Sequence, residues 1–252
     1  MFSIFLLAFV QSMTEFLPVS SSGHLFLISV CGLTHQGLAM DVALHMGTLL
    51  AVLIYFFHDI WQMVIFKNMR LALLLVCATL PIVLVGLCLG PFLENIVRIP
   101  VAVAICSIIF GILLWLVDGK SKTTKTIQTI NFKDAFIIGC SQIIALIPGV
   151  SRSGITMTAA RALGIKREDS AHFSMLLSIP TIFGAMVYVI YKNAQGNMVL
   201  PSIVDLQMGI ALSACLGVLA IAFLMKWLKR ASFGIFAVYR IILGIIVLFY
   251  FL

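Results

Sequence analysis

The stretch TEFLPVSSSGH, Thr14 to His24, puts a glutamate, three consecutive serines and a histidine inside one of the most apolar parts of the chain. A second stretch, IPGVSRSG at 147–154, adds Arg152 flanked by Ser151 and Ser153. A guanidinium among apolar residues is costly unless something answers it. One answer is a plain ion pair with Glu15. The other is a bound anion, clamped by the guanidinium fork and by the free amides of nearby helix starts. On the second reading Ser21 and Ser22 are hydroxyls placed to meet a phosphate. His24 follows within one turn and can exchange a proton or attack as a nucleophile. Glu15 is the sole acid near either stretch, and Gln11 lies one turn before it on the same face. Magnesium often uses one or two carboxylates and fills its shell with substrate phosphates and water. Glu15 is thus a candidate metal ligand, with Gln11 orienting it or adding an oxygen. Ser21, His24 and a metal-activated water all fit as nucleophile. The arrangement expected is Ser21 attacking, His24 as acid and base, and Glu15 on the metal or orienting His24. His45 and His172 read as packing residues, and His35 and His58 as loop or interface residues.

These groups need elements to hold them. A helix crosses a bilayer with about 20 apolar residues. Six segments qualify, near 40–57, 71–93, 99–117, 170–191, 205–225 and 233–252, the first being marginal and carrying His45. Residues 2–31 and 133–163 are apolar but broken in the middle, and each half is too short to cross. Such pairs read as re-entrant hairpins, since non-helical backbone survives at membrane depth only beside protein or a polar cavity. Each new half-helix is expected to start near Ser22 or Ser153, with serines as caps. The two breaks also match each other. QSMTEFLPVSSSG at 11–23 aligns without a gap on QIIALIPGVSRSG at 142–154, pairing Gln11 with Gln142, Val19 with Val150, Ser20 with Ser151, Ser22 with Ser153 and Gly23 with Gly154. Three spans follow each break. The expected fold is an all-α integral membrane protein of two inverted repeats, about 1–118 and 133–252, each a re-entrant hairpin plus three spanning helices, joined by a cytoplasmic loop at about 118–133.

Composition and charge agree. Of 252 residues, 62% are hydrophobic and 10% charged, against about 25% charged in soluble domains. With the chain starting outside, the inner loops hold Lys67, Arg70, Lys120, Lys122, Lys125, Lys133, Arg161, Lys166, Arg167, Lys226, Lys229 and Arg230, and the outer loops only Arg98 and Lys192. This is a strong positive-inside bias. It accounts for the net charge of +7, and no basic helix or aromatic-basic array points to nucleic acid. The N-terminal run MFSIFLLAFV lacks the basic region and cleavage site of a signal peptide, and reads as retained. The six cysteines form no C-x-x-C pair and read as core residues.

QSMTEFLPVSSSGH and PGVSRSG resemble the two signature segments of the undecaprenyl-diphosphatase family, also called the bacitracin resistance protein family. The resemblance extends over the whole chain to the tail RASFGIFAVYRIILG. It implies an enzyme of the bacterial inner membrane, and with the charge orientation above its site is expected to open toward the outer, periplasmic face. The implied reaction removes the terminal phosphate of undecaprenyl diphosphate, a polyprenyl diphosphate lipid, to give the lipid carrier of cell-wall synthesis. It further implies a divalent cation, Mg2+ or Ca2+. The motif positions map onto Gln11, Glu15, Ser20, Ser21, Ser22 and His24, and onto Ser151, Arg152, Ser153 and Thr156, the last four with Ser20 and Ser22 as phosphate contacts. Some members carry Glu-x-x-x-Glu where this chain has Gln11 and Glu15, which shifts weight onto Glu15 and the substrate's own phosphates. The type-2 phosphatidic-acid phosphatases also have P-S-G-H and S-R elements, but their S-R-x5-H would need histidine where Thr158 stands. A lipid transporter or flippase is the rival reading, since broken helices in inverted repeats are typical of transporters. A transporter needs the arginine and helix ends, but not a hydroxyl beside a carboxylate and an acid/base. Association with a second copy of the chain is left open.

Overall fold

The computed structural model describes residues 1–32, 37–93, 99–193 and 201–251. His35 and Arg98 of the charge and histidine readings lie outside them. The described chain is helical, with one isolated bridge between Lys125 and Ile165. In order the helices are α1 (Phe2–Phe16), α2 (Ser21–Val30), α3 (Leu38–Tyr55), α4 (Phe57–Val64), α5 (Met69–Leu93), α6 (Pro100–Lys120), α7 (Phe132–Ile144), α8 (Arg152–Ala162), α9 (Arg167–Asn193), α10 (Ile203–Leu228) and α11 (Gly234–Phe251).

Local sequence explains the boundaries. Pro100 opens α6 where a missing N–H costs nothing. Asn131 and Asp134 form a reciprocal capping box at the start of α7. Ser202 accepts from Asp205 N to cap α10. At 1.5 Å per residue, α1 and α2 are about 22 and 15 Å long, too short for the ~30 Å core of a bilayer. The two pack on each other, as do α7 and α8. These are the two re-entrant hairpins. Their second halves begin at Ser21 and Arg152, one residue earlier than expected from sequence.

Helices α5, α6, α9, α10 and α11 are long and apolar enough to span. The remaining span, α3, continues after Phe56 into α4 through a 78° bend. Helix α4 buries none of its residues, and Phe57, Trp61 and Val64 are exposed on it. The outer faces of the spans are apolar as well: Leu73, Val76, Leu80, Leu84 and Leu87 on α5, and Ile105, Ile109 and Leu116 on α6, are all exposed. A surface of that kind is stable only in lipid, and the chain is a multi-pass membrane protein. Cys31, Cys88 and Cys215 share this outward exposure, which corrects their reading as core residues.

The repeats are interlocked. Helix α1 packs on α10 of the second repeat, and α7 packs on α5 of the first. These two contacts are exchanged by the relation that superposes one repeat on the other. Helix α3 lies against α10, and α6 against α11. Gly139 on α7 permits one of these approaches, because a Cβ there would collide with Ala78 O on α5.

At the end of α6, Asp118 is a buried hub. It accepts from Arg161 Nε (2.8 Å), Arg167 Nε (2.8 Å) and Phe233 N (3.0 Å). Arg161 also donates to Thr123, and Ser121 donates to Arg161 O. Lys125 pairs with Asp134 at 2.7 Å. The connection between the repeats is thereby tied to α6, α8, α9 and α11.

Candidate functional site

Both hairpin breaks turn on a serine in the left-handed region: Ser20 at φ 80° and Ser151 at φ 74°. A non-glycine residue held there costs about 1–3 kcal/mol, and the two serines are the pair that the internal alignment matches. Gly149, at φ 92°, lies so close to α6 that a Cβ would meet Val103 O at 2.6 Å. Ser151 Oγ accepts from Gly154 N at 3.1 Å and so caps α8. Ser20 caps nothing with its side chain, contrary to the expectation, and its buried Oγ has no protein partner.

The breaks bring repeat one's acid to repeat two's arginine. Arg152 Nη2 donates to Glu15 Oε1 at 2.6 Å, and its Nη1 donates to Ser174 O at 3.3 Å. Ser21 Oγ donates to Glu15 Oε2 at 2.5 Å. Gln11 Nε2 donates to the same oxygen at 3.2 Å. Ser153 Oγ donates to Leu17 O at 3.0 Å, bridging the hairpins directly. Thr156 is held below the surface by Arg152 O, Ser153 O and Ser174 Oγ. A cavity of about 160 Å³ opens on this constellation, lined by Glu15, Ser21, Ser22, His45, Arg152 and Ser153 among others. That is room for roughly five waters. Thr14, Ser20 and Ser151 also line it, so the structure gathers most of the residues that the two motifs single out.

Gln11, Thr156 and His24 do not line the cavity, and His24 turns elsewhere. Its Nδ1 donates to Ser20 O and its Nε2 accepts from Tyr239 Oη, both at 2.7 Å, and its ring stacks on Tyr239. It lines a second small pocket with Val103 and Val247. His45 takes the place facing the cavity. Its Nδ1 donates to Asp41 O at 2.8 Å, and its Nε2 stands 3.9 Å from Glu15 Oε2. His45 is therefore a cavity residue, and its reading as packing is corrected. His172 pairs with Asp59 at 3.2 Å and stacks on Phe56.

Arg240 and Tyr239 were not singled out from sequence. Arg240 is fully buried in α11. Its guanidinium donates to Pro18 O (3.3 Å), Gly149 O (3.0 Å) and Val150 O (2.8 Å). The signal was present: an ionisable residue inside a spanning helix is itself a mark of function.

A divalent cation has a partial donor set here. Gln11 Oε1 is buried and without a protein partner, beside the carboxylate of Glu15. The matching Gln142 is satisfied, by Ala78 O and Thr181. Among the described residues no three His, Cys, Asp or Glu side chains converge as a metal cluster. The residues fit a cation that draws the rest of its shell from phosphate oxygens and water.

Residues 4–246 match the family model described as bacitracin resistance protein BacA. A protein of Desulforudis audaxviator named undecaprenyl-diphosphatase is 44% identical over 95% of this chain and 93% of its own. Proteins of the same name from Alcanivorax borkumensis and Maricaulis maris are 42% and 44% identical, the alignments covering 99% and 97% of this chain and 98% and 97% of theirs. A match of that extent, on a fold whose two breaks meet at Glu15, Ser21 and Arg152, makes the chain a member of the bacitracin resistance protein BacA family.

Proposed function

We propose that this chain hydrolyses undecaprenyl diphosphate to undecaprenyl phosphate and inorganic phosphate, recycling the cell-wall lipid carrier and conferring bacitracin resistance. The family membership and the shared name of its relatives support the reaction. The single observation that carries it in this chain is the convergence of Ser21, Glu15 and Arg152 on one cavity at the junction of the hairpins.

Ser21 is the proposed nucleophile. A hydroxyl attacks well only when a base takes its proton, and Glu15 Oε2 already accepts that hydrogen. In the first step Ser21 Oγ bonds to the terminal phosphorus, its proton passes to Glu15, and the bond to the bridging oxygen breaks. Undecaprenyl phosphate leaves. Water then attacks the phosphoserine and releases phosphate. Arg152, which pairs with Glu15, is placed to turn its fork to the phosphoryl oxygens, where a fixed positive group stabilises developing charge. Ser20, Ser22, Ser151 and Ser153 supply further donors, and Thr156 braces the start of α8. His24 is assigned acid/base work at the leaving group only if its ring turns from Tyr239.

Glu15 and Gln11 Oε1 are the residues that would hold Mg2+ or Ca2+. A bound cation would offset the charge of the diphosphate. We place the enzyme in the bacterial inner membrane with its cavity toward the outer face, from the charge bias of its loops, as two units of about 1–118 and 133–252 joined by a cytoplasmic loop. The test is phosphate release from undecaprenyl diphosphate by the purified chain in detergent, with and without chelator. Wild-type protein that releases no phosphate in excess Mg2+ would sink the proposal.

A further inference from the structure

The repeats match in the spanning helices that close the site as well as in the hairpins. CSIIFG at 106–111 in α6 aligns with YRIILG at 239–244 in α11. The packing obeys that alignment. A Cβ on Gly111 would meet Ala237 O and Ile241 Cγ1, and one on Gly244 would meet Ala104 O and Ile108 Cγ1. These partners exchange under the same offset, so α6 and α11 cross about the axis relating the repeats. On that axis Arg240 occupies the position of Ser107, which itself donates to Arg240 O at 3.2 Å. In the hairpins Arg152 likewise occupies the position of Ser21. Twice, the second repeat carries arginine where the first carries serine.

Arg152 faces the cavity and Arg240 does not. Arg240 reaches the carbonyls of Pro18 in the first break and of Gly149 and Val150 in the second. It makes no ion pair among the described residues, and its Nε has no partner. A buried guanidinium answered only by carbonyls is an expensive way to support packing. It makes sense as a tie between two segments that must keep a set separation. Gly154 accommodates it, since a Cβ there would stand 2.7 Å from Arg240 Nη1.

We propose that Arg240 is a positioning residue for the phosphoryl transfer, fixing the first break against the second so that Ser21 and Glu15 from one repeat meet Arg152 from the other. This rests on the hydrolase reading above. An error of about 1 Å in such a constellation costs on the order of 100-fold in rate. Arg240 does not line the cavity, so the loss is expected on kcat more than on KM. The axial placement supplies a specific test. A guanidinium at Ser107 would approach the same two breaks from the other side of the axis, at the carbonyls of Gly149, Pro18 and Val19.

The experiment compares wild type, R240S, R240K and the swap S107R/R240S, using farnesyl diphosphate, phosphate release and melting temperature in detergent. The expected result is a kcat at least 100-fold lower in R240S, with KM changed less than tenfold. R240K should not rescue, because an ammonium cannot span three carbonyls. The swap should regain at least tenfold over R240S. Activity of R240S within threefold of wild type overturns the proposal. So does a swap that melts like wild type but stays as inactive as R240S, or failure of both variants to fold, either of which makes Arg240 a fold support. Wild type that releases no phosphate, yet is stabilised against heat by farnesyl diphosphate, fails the hydrolase reading alone. The variants are then read by whether that stabilisation shrinks in R240S and returns in the swap.

Discussion

Glu15 serves Ser21, Gln11 and Arg152 at once, and the consequences of changing each neighbour differ. Ser21→Ala removes the proposed nucleophile and should lower kcat by about 1,000-fold or more. Rapid-quench mass spectrometry of wild type should find phosphate on Ser21, and phosphate on His24 would move the attack there. Arg152→Lys keeps the charge but not the fork that spans Glu15 and Ser174 O. It should lose at least roughly tenfold in kcat/KM, and activity within threefold of wild type would remove the clamp. Gln11→Glu exchanges a donor to Glu15 for a second buried negative charge. Repulsion of that kind disfavours both carboxylates, so activity should fall with no tighter binding of Mg2+, measured by calorimetry. At this scale the sequence was informative where costly residues were crowded together. His45 read as packing because a single histidine on a marginal span has no local pattern; it reaches the cavity through the packing of α3 on α1. His24 misled in the opposite way. Its separation of three residues from Ser21 suggested a shared site, but the turn of α2 sends its ring to Tyr239.

At the scale of the element, the two breaks look alike but are held differently. Ser151 uses its hydroxyl for Gly154 N and Ser153, while Ser20's has no protein partner. Glycine at either position removes the strain of a left-handed serine, but only at 151 does it also remove buried hydrogen bonds worth about 1 kcal/mol each. Ser20→Gly should therefore be the more stable of the two variants, with the higher melting temperature. An equal or reversed order would show that the strain is not what distinguishes them. The hairpins themselves were legible, because two independent signals agreed: segments too short to cross, and one pattern repeated at both breaks. The helix α4 beyond the 78° bend was not: the apolar run at 40–57 ends at the bend, with His58 and Asp59 next, but nothing there shows that the chain goes on as a helix.

For the whole molecule, orientation and closure are the testable properties. In a background free of native cysteines, a cysteine at Gly37 should react with an impermeant thiol reagent from outside the cell, and one at Thr123 only after permeabilisation. Labelling of both from one side would break the hairpin count, and the reverse pattern would invert the orientation. Asp118 holds two arginines and a backbone amide at the end of α6. Asp118→Asn leaves those cations without their charge partner and should cost about 3 kcal/mol or more, read as a lower melting temperature. The charge bias along the sequence predicts a side for the loops, but nothing in it announces that one buried carboxylate gathers the ends of three helices.

The exchange of hairpins between repeats also dictates how the chain must be made. Ser12 on α1 donates to Ser213 O, 201 positions later. At translation rates of about 5–20 residues per second, roughly 10–40 s separate the insertion of one from the arrival of the other. Through that interval the first hairpin, with Gln11 and Glu15 on it, lies in the bilayer or beside the insertion machinery without the surface that will bury it. A ribosome arrested before α10 should leave a cysteine at Ser12 open to thiol reagents, and release of the full chain should close it. The nascent first half is thus the stage at which the chain is most open to membrane chaperones and proteases.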